Sequence, residues 1–169
     1  MRRPLFKRVE HPEAKDHHTL AREAIFGRMG LKLNDPIPGV GRPVVDELLE
    51  PTRIYVRPVL GLLREVTVKA MAHVTGGGIT DNLPRVLPAG RRARITVAAW
   101  PVPAIFPAIQ RAASVDDAEM RRTFNMGLGF LLVVAADDVA AATQRLQAAG
   151  ERVFDVGEIV AGDPGVEYA

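Results

Sequence analysis

The chain has 169 residues, of which 47% are hydrophobic and 25% charged, enough for one domain with a substantial core. It contains no cysteine, which excludes disulfides and thiolate metal sites and favours a cytoplasmic protein. No apolar run is long enough to span a bilayer, so we expect no membrane segment.

The basic excess of the chain is concentrated at its N-terminus. Four basic residues precede the first acid, Glu10: Arg2, Arg3, Lys7 and Arg8. Of 22 Lys and Arg residues, 18 remain without these four, against 20 acidic residues. A nucleic-acid binder carries a basic face on the fold itself, so we expect no nucleic-acid partner. Residues 1–18 show no periodicity, which predicts a loosely ordered leader before a domain over residues 19–169.

Residues 19–65 are predicted to form short helices joined by loops. Thr19 is predicted to cap a helix over LAREAIFGRMG that ends at Gly30. After a loop rich in Pro and Gly, VVDELLE predicts a short helix that ends before Pro51. In PTRIYVRPVLGLLRE, the alternation would place Arg53 and Tyr55 on one strand face, and a further helical turn or two follows.

The rest of the chain alternates strands with helices. VTVKAMAHV predicts a strand with alternate apolar residues on one face, and RARITVAA predicts a second strand. PAIFPAIQRAA and SVDDAEMRRTF predict two helices, the second capped by Ser114 or Asp116. GFLLVVAA is typical of a buried central strand, DDVAAATQRLQAAG of a helix closed by Gly150, and ERVFDVGEIV of a final strand. This order predicts an α/β layered domain.

The segment AHVTGGGITDNLPRVLP holds three consecutive glycines directly after the first strand. Glycine adopts positive φ, so Gly76, Gly77 and Gly78 would let backbone N–H groups converge on an anion. The side chains that could add donors to such a site are Thr75, Thr80, Asn82 and Arg85. The pattern matches neither the P-loop nor the dinucleotide fingerprint. A tight turn held by a capping asparagine fits the same residues, so spacing alone leaves both interpretations open.

A second glycine-rich segment, FNMGLGF, lies between a basic helix end and the buried strand. Asn125, Gly127 and Gly129 would allow a ligand to approach the backbone, or would end the helix and open a bulged strand. His73, beside the first glycines, is interpreted as a packed strand histidine rather than a base. The acidic pairs that follow in the chain are interpreted as helix-start charges, so no metal site is predicted.

Three segments in their usual order resemble the C-terminal half of aminoimidazole ribonucleotide synthetase, also called phosphoribosylformylglycinamidine cyclo-ligase: PTRIYVRPVL, AHVTGGGITDNLPRVLP and FNMGLGFLLVV…AAGERVFDVGEIVAG. The resemblance runs from about Leu20 to Gly162. It implies a three-layer α/β/α domain with a mixed sheet and partial ferredoxin-like topology. It also implies ATP-dependent ring closure of formylglycinamidine ribonucleotide in purine biosynthesis, with ATP and Mg²⁺ as cofactors of the full-length enzyme.

The resemblance implies a set of residues that contact substrate or phosphate but no named catalytic residue. The set is Thr75, Gly76, Gly77, Gly78, Asn82, Arg85, Asn125 and Gly127. Asp81, where the family more often has Glu, is a mild departure.

The resemblance covers one half of the enzyme, without its nucleotide-binding N-terminal domain. Asp16, His17 and His18 stand where the family's Leu-His-Ser/Thr-Asn-Gly-Tyr segment is expected. We therefore expect a domain that is inactive and cofactor-free by itself and that pairs with an N-terminal half or forms a homo-oligomer. The alternatives are a non-catalytic remnant or interaction module, and a related thiamine-monophosphate kinase or selenophosphate synthetase, against which GGGITDNLPRVLP argues.

Overall fold

The computed structural model describes residues 17–169, so most of the predicted leader lies outside the described residues. Its α-helices are α1 (His17–Arg22), α2 (Val44–Leu48), α3 (Val56–Leu62), α4 (Gly78–Asn82), α5 (Ile105–Ala113), α6 (Asp117–Thr123) and α7 (Val139–Ala148). A π-helix, Glu23–Arg28, continues α1, and 3₁₀ turns occupy Pro84–Val86 and Ala136–Asp138. The strands are β1 (Val68–His73), β2 (Arg91–Ile95), β3 (Phe130–Val134), β4 (Gly157–Ala161) and β5 (Val166–Tyr168).

The strands form two sheets. β1 pairs antiparallel with β3, and a bulge interrupts the register between Val68 and Ala70. In the second sheet, β2 lies between β4, to which it is antiparallel, and β5, to which it is parallel. The expected α/β class with mixed β-structure is confirmed.

The largest core cluster lies between the two sheets. It includes Ala72 of β1, Leu131 of β3, Ala93 and Ile95 of β2, and Trp100. The opposite side of the β1–β3 sheet packs on α3 and α7 through a second cluster of four buried residues: Leu62, Val66, Ala142 and Leu146. Full burial of one such aliphatic side chain stabilises the fold by about 1.5–3 kcal/mol. The two clusters fix the β1–β3 sheet between a helical layer and the second sheet.

Most predicted helices are confirmed, but the first helix begins before its predicted cap. Helix α1 begins at His17, so Thr19 lies inside the helix and is not its cap. Gly30, with φ of 65°, and Gly150, with φ of 83°, adopt the left-handed backbone expected after a helix. Asp116 caps α6, because its Oδ1 accepts a hydrogen bond from the Glu119 N–H at 2.8 Å.

Four strand predictions need correction. Residues 51–55 form no strand, because the chain turns directly into α3, so Arg53 and Tyr55 share no strand face. β3 pairs with β1 alone among the described strands and is not central, because the residues beyond its other edge, 151–156, run without regular pairing. β2 ends at Ile95 and β4 begins at Gly157, so each is shorter than its predicted segment. Burial alternates along residues 66–74 as predicted, but the apolar residues do not share one face. Val66 packs in the cluster with α3 and α7, whereas Ala72 and Val74, beyond the bulge, lie in the largest cluster.

Candidate functional site

The fold brings the two glycine-rich segments to the same end of the β1–β3 sheet. His73, at the end of β1, is paired with Phe130, at the start of β3. The next residue, Val74, donates its N–H to the carbonyl oxygen of Gly129 at 2.9 Å. We call residues 75–78 the first glycine loop and residues 125–129 the second glycine loop. They are neighbours because antiparallel pairing places the end of one strand beside the start of the other.

The first glycine loop leaves consecutive backbone donors unused. Its turn is closed by the Gly78 N–H, which donates to the Thr75 carbonyl at 3.0 Å, and Gly77 adopts a φ of 97°. Within residues 17–169, the N–H groups of Thr75, Gly76 and Gly77 donate to no acceptor. Thr75 and Gly76 are also exposed. Successive unpaired N–H groups of this kind form a concave site for an anion.

Gly78 is required by packing rather than by a ligand. A Cβ atom at this position would lie 1.9 Å from the Arg121 carbonyl oxygen and 2.7 Å from that of Phe124. Its φ of 57° further disfavours any other residue. Gly78 therefore lets the start of α4 contact the backbone at the end of α6, which fixes one side of the loop.

Asn82 supports the first glycine loop from inside the protein. Its side chain is buried, and its Nδ2 donates to the carbonyl oxygens of Gly78 at 2.7 Å and Gly76 at 3.2 Å. The sequence alone left open whether this asparagine caps a turn or contacts a ligand. In the structure, the side-chain amide of Asn82 donates to carbonyl oxygens of the loop, as the capping interpretation predicted.

Thr80 and Asp81, on the helix that follows, are also engaged. The Thr80 hydroxyl lies 2.8 Å from the hydroxyl of Tyr168, and Asp81 Oδ2 lies 3.6 Å from Arg122 Nε. Burial raises the pKa of Tyr168 above its ordinary value of 10.0, while the hydrogen bond with Thr80 acts in the opposite direction. The Thr80 hydroxyl, considered from sequence as a ligand donor, thus holds α4 to the C-terminal strand.

Arg85 supplies a positive charge that no internal partner uses. It lies on the 3₁₀ turn Pro84–Val86, just after α4, and is exposed. Within the described residues it makes no ion pair, whereas Arg121 and Arg122 pair with aspartates at 3.1 and 3.6 Å. A guanidinium without a partner can bind a phosphate through two parallel N–H groups.

The second glycine loop is closed on itself. The Asn125 Oδ1 accepts from the Gly127 N–H at 3.0 Å, and its carbonyl oxygen accepts from the Leu128 N–H at 3.0 Å. The Met126 carbonyl accepts from Trp100 Nε1 at 2.9 Å. A Cβ atom on Gly127 would lie 2.5 Å from Cδ of Pro103. These contacts match the interpretation of a helix stop before a strand. The N–H groups of Asn125, Met126 and Gly129 donate to no acceptor within residues 17–169, but the two bonded groups between them interrupt the run.

An aromatic group lies beside both loops. The ring centroids of Tyr55 and Phe130 are 5.2 Å apart, and that of His73 is 5.9 Å from Tyr55. The Tyr55 hydroxyl lies over Gly129, where a Cβ atom would meet it at 2.0 Å. Burial raises the pKa of Tyr55, and the nearby Glu151 adds to the shift. His73 is thus a strand histidine in contact with aromatic rings, but it is exposed and not packed as its sequence context predicted.

A cleft of about 820 Å³ opens between the β1–β3 sheet and residues 151–159. Its lining is mainly aliphatic and includes Leu131, Val133 and Val153, with Leu128 of the second glycine loop and Tyr55 beside that loop. Among residues 17–169, no group of three or more His, Asp or Glu side chains is placed to hold a metal ion. No helix in this range is long and apolar enough to cross a membrane.

Comparison with known families identifies the domain. Residues 18–169 match the family model described as AIR synthase related protein, C-terminal domain. The chain belongs to this family. Both glycine loops and the whole of α1, except its first residue, fall within the matched part of this AIR synthase related domain.

Curated proteins named phosphoribosylformylglycinamidine cyclo-ligase are similar to this AIR synthase related domain. The protein of Geotalea daltonii is 47% identical over 150 residues, which cover 89% of this chain and 43% of the relative. That of Myxococcus xanthus is 50% identical over 145 residues, covering 86% of this chain and 42% of the relative. The chain therefore spans about two-fifths of the length of the curated relatives it matches.

Within residues 17–169, this AIR synthase related domain offers donors for the phosphate of ATP–Mg²⁺ but no acid cluster for the metal ion. The first glycine loop and Arg85 suit a phosphate group, whether it belongs to a nucleotide or to a phosphorylated substrate. For Mg²⁺, which prefers carboxylate oxygens, residues 17–169 offer no clustered set of acids.

The sequence did not draw attention to Tyr168 and Phe130, because their proximity to the loops depends on long-range strand pairing.

Proposed function

We propose that this domain forms the phosphate-binding wall of a composite cyclo-ligase active site that closes the ring of formylglycinamidine ribonucleotide. The observation that carries the proposal is the run of N–H groups at Thr75, Gly76 and Gly77 that have no acceptor within residues 17–169. Arg85 adds a charge without a partner in the described chain, and the backbone donors cost no reorganisation on binding. The named cyclo-ligase relatives supply the reaction class.

In this proposal the eight residues suggested by sequence have two roles. Thr75, Gly76, Gly77 and Arg85 face the phosphate and orient it. The remaining members hold the backbone in shape: Gly78, Asn82, Asn125 and Gly127. ATP and Mg²⁺ would be bound mainly by the rest of the enzyme, which would supply the phosphoryl group for ring closure. Such a reaction and the absence of cysteine favour the cytoplasm.

The proposal also assigns one surface of this domain as the contact with the rest of the enzyme. Helix α3 and the segment before it expose large apolar side chains: Leu49, Ile54, Val56, Leu60 and Leu63, which we call the exposed apolar face. Val56, Leu60 and Leu63 are spaced as one side of a helix, next to the side that carries the buried Val59 and Leu62. Ile54 is 79% exposed, and a patch of this kind marks an interaction surface. The remaining part of a cyclo-ligase is the partner we assign to it.

A chimera tests the proposed function. Residues 18–169 replace the aligned part of the Geotalea daltonii relative, and ATP-dependent ring closure of formylglycinamidine ribonucleotide is assayed. We expect activity, and a loss of roughly tenfold or more in kcat/KM when Arg85 is replaced by Gln. Arg111→Gln is the matched control, because Arg111 is exposed on α5 and has no ion pair within the described residues. A well-folded chimera without activity would contradict the cyclo-ligase role.

The second candidate is a non-catalytic interaction module that keeps the fold. The exposed apolar face favours it, because association alone would cover these side chains. Light scattering of the purified chain separates the candidates. A module that acts through self-association gives a stable homo-oligomer that the double variant Ile54→Asp, Leu60→Asp disrupts. A monomer that binds the N-terminal part of a cyclo-ligase relative supports the composite site instead.

A further inference from the structure

The C-terminal strand is tied directly to the helix that carries the first glycine loop. β5 runs parallel to β2, and its end is fixed because the Ala169 N–H donates to the Ile95 carbonyl at 2.8 Å. The Val97 N–H donates back to the Ala169 carbonyl at 3.0 Å. From this anchored position the Tyr168 hydroxyl reaches Thr80 on α4, at 2.8 Å. The contact joins residues that are 88 positions apart in the chain.

Arg121 completes the contact from the other side. Its guanidinium lies 5.0 Å from the centre of the Tyr168 ring, and its carbonyl oxygen lies 3.4 Å from the Thr80 hydroxyl. The same carbonyl is the atom that leaves no space for a side chain at Gly78. Helix α4 is therefore held between the backbone end of α6 and the Tyr168 hydroxyl. Its first residue is also the last residue of the first glycine loop.

We propose that Tyr168 is a positioning residue, whose hydrogen bond with Thr80 holds α4 so that the N–H groups of residues 75–77 converge on a phosphate. The inference rests on the proposed function and adds to it a residue from the far end of the chain. Tyr168 does not touch the ligand. It acts through Thr80 on a helix of five residues, which is too short to keep its orientation without external contacts.

The test uses the whole chain and inorganic phosphate as the probe. Tyr168→Phe keeps the ring and its contact with Arg121 but removes the hydroxyl, and Thr80→Val removes the partner. We expect each variant to bind phosphate roughly three- to tenfold more weakly, and the double variant to lose no more than Thr80→Val, which also removes the bond to the Arg121 carbonyl. Thr80→Ser restores the hydroxyl and should restore affinity. Thr52→Val, at an exposed threonine without a side-chain hydrogen bond in the described chain, is the matched control.

Hydrogen exchange without phosphate separates positioning from general stability. The Gly78 and Asp81 N–H groups close the loop and the first turn of α4 through bonds of 3.0 Å each. In Tyr168→Phe their exchange should speed up by the same three- to tenfold, while the amide of Leu146 in α7 stays unchanged. Unchanged exchange at Gly78 and Asp81 overturns the inference, and so does an equal rise at Leu146.

The two proposals fail in different ways. If the native chain binds no phosphate, the proposed function loses its support, while the exchange rates still decide whether Tyr168 positions the loop. If the native chain binds phosphate and Tyr168→Phe binds it equally well, the positioning role is wrong and the phosphate site stands.

Discussion

The two glycine loops lie side by side but use their backbone differently. In the second loop, the N–H groups of Gly127 and Leu128 both donate to Asn125. In the first loop, the N–H groups of Thr75, Gly76 and Gly77 have no acceptor within residues 17–169. The first loop therefore presents three successive unpaired donors, whereas two bonded N–H groups interrupt the unpaired donors of the second loop, on Asn125, Met126 and Gly129.

The comparison shows that a glycine-rich sequence does not by itself identify a binding loop. Buried backbone donors are almost always paired, so donors left unpaired at an exposed turn are available to solvent or to a ligand. Asn82 and Asn125 illustrate the point. The first donates to carbonyl oxygens and leaves the loop N–H groups free, whereas the second accepts from an N–H group of its own loop.

The largest expected effect comes from Gly78→Ala, which tests the support of the first loop. The new methyl group would collide with the Arg121 carbonyl oxygen, at 1.9 Å, in a backbone conformation that already disfavours alanine. We expect the free energy of unfolding to fall by about 3 kcal/mol or more. Gly90→Ala is the control, since Gly90 has a φ of 73° and nothing within 4 Å of the new Cβ, and should cost about 1 kcal/mol. Equal losses in urea denaturation would contradict the packing role of Gly78.

Asn82→Ala should have the next largest effect, because it removes both hydrogen bonds behind the first loop. The carbonyl oxygens of Gly76 and Gly78 lose a donor, so we expect a loss of about 1–3 kcal/mol in the free energy of unfolding and weaker phosphate binding. Asn34→Ala, at an exposed asparagine without a side-chain hydrogen bond in the described chain, should change neither. Phosphate affinity equal to that of the native chain would show that the loop keeps its shape without Asn82.

Asn125→Ala applies the same change to the second loop and tests whether the two glycine loops differ in phosphate binding. Its Oδ1 accepts one hydrogen bond in a more exposed place, so we expect a smaller loss of about 0.5–1.5 kcal/mol. Phosphate affinity should stay within twofold of the native value, because the donors of the first loop are untouched. A large loss of affinity with little loss of stability would place the ligand at the second loop instead.

The smallest effect concerns the two tyrosines, one beside each loop. Burial raises the folded-state pKa of Tyr168 and of Tyr55 above the unfolded value, which is about 10. The folded state therefore holds these protons more tightly, and the stability they contribute is present below pH 10 and lost as the pH rises through the folded pKa values. We expect the melting temperature to fall less steeply above pH 10 in Tyr168→Phe than in the native chain. Parallel pH curves for the two proteins would exclude this contribution from Tyr168.

Local patterns predicted the elements of the fold better than their pairing. The alternation of burial around β1, the helix α7 and the cap at Asp116 are set by nearby residues, and all are confirmed. The position of β3 was wrong because an apolar run shows burial but not which strands flank it. The three-residue strand β5 is too short to show periodicity and forms because β2 offers a free edge.

The sequence motifs drew attention to the residues of the candidate site but did not predict their contacts. Glycine at positions 77 and 78 follows from backbone conformations that other residues avoid, and the motif drew attention to both. The inward direction of Asn82 and the contact between Tyr168 and Thr80 depend on residues brought together by folding. Spacing along the sequence carries no information on such contacts.

The most direct test of the account is a phosphate titration of the uniformly ¹⁵N-labelled chain, followed through its backbone amide signals. The account predicts saturable shifts at Thr75, Gly76 and Gly77 that Arg85→Gln weakens, with the signals of Gly127 and Leu128 nearly unchanged. Shifts confined to the second glycine loop, or none at residues 75–77 up to high millimolar phosphate, would contradict it.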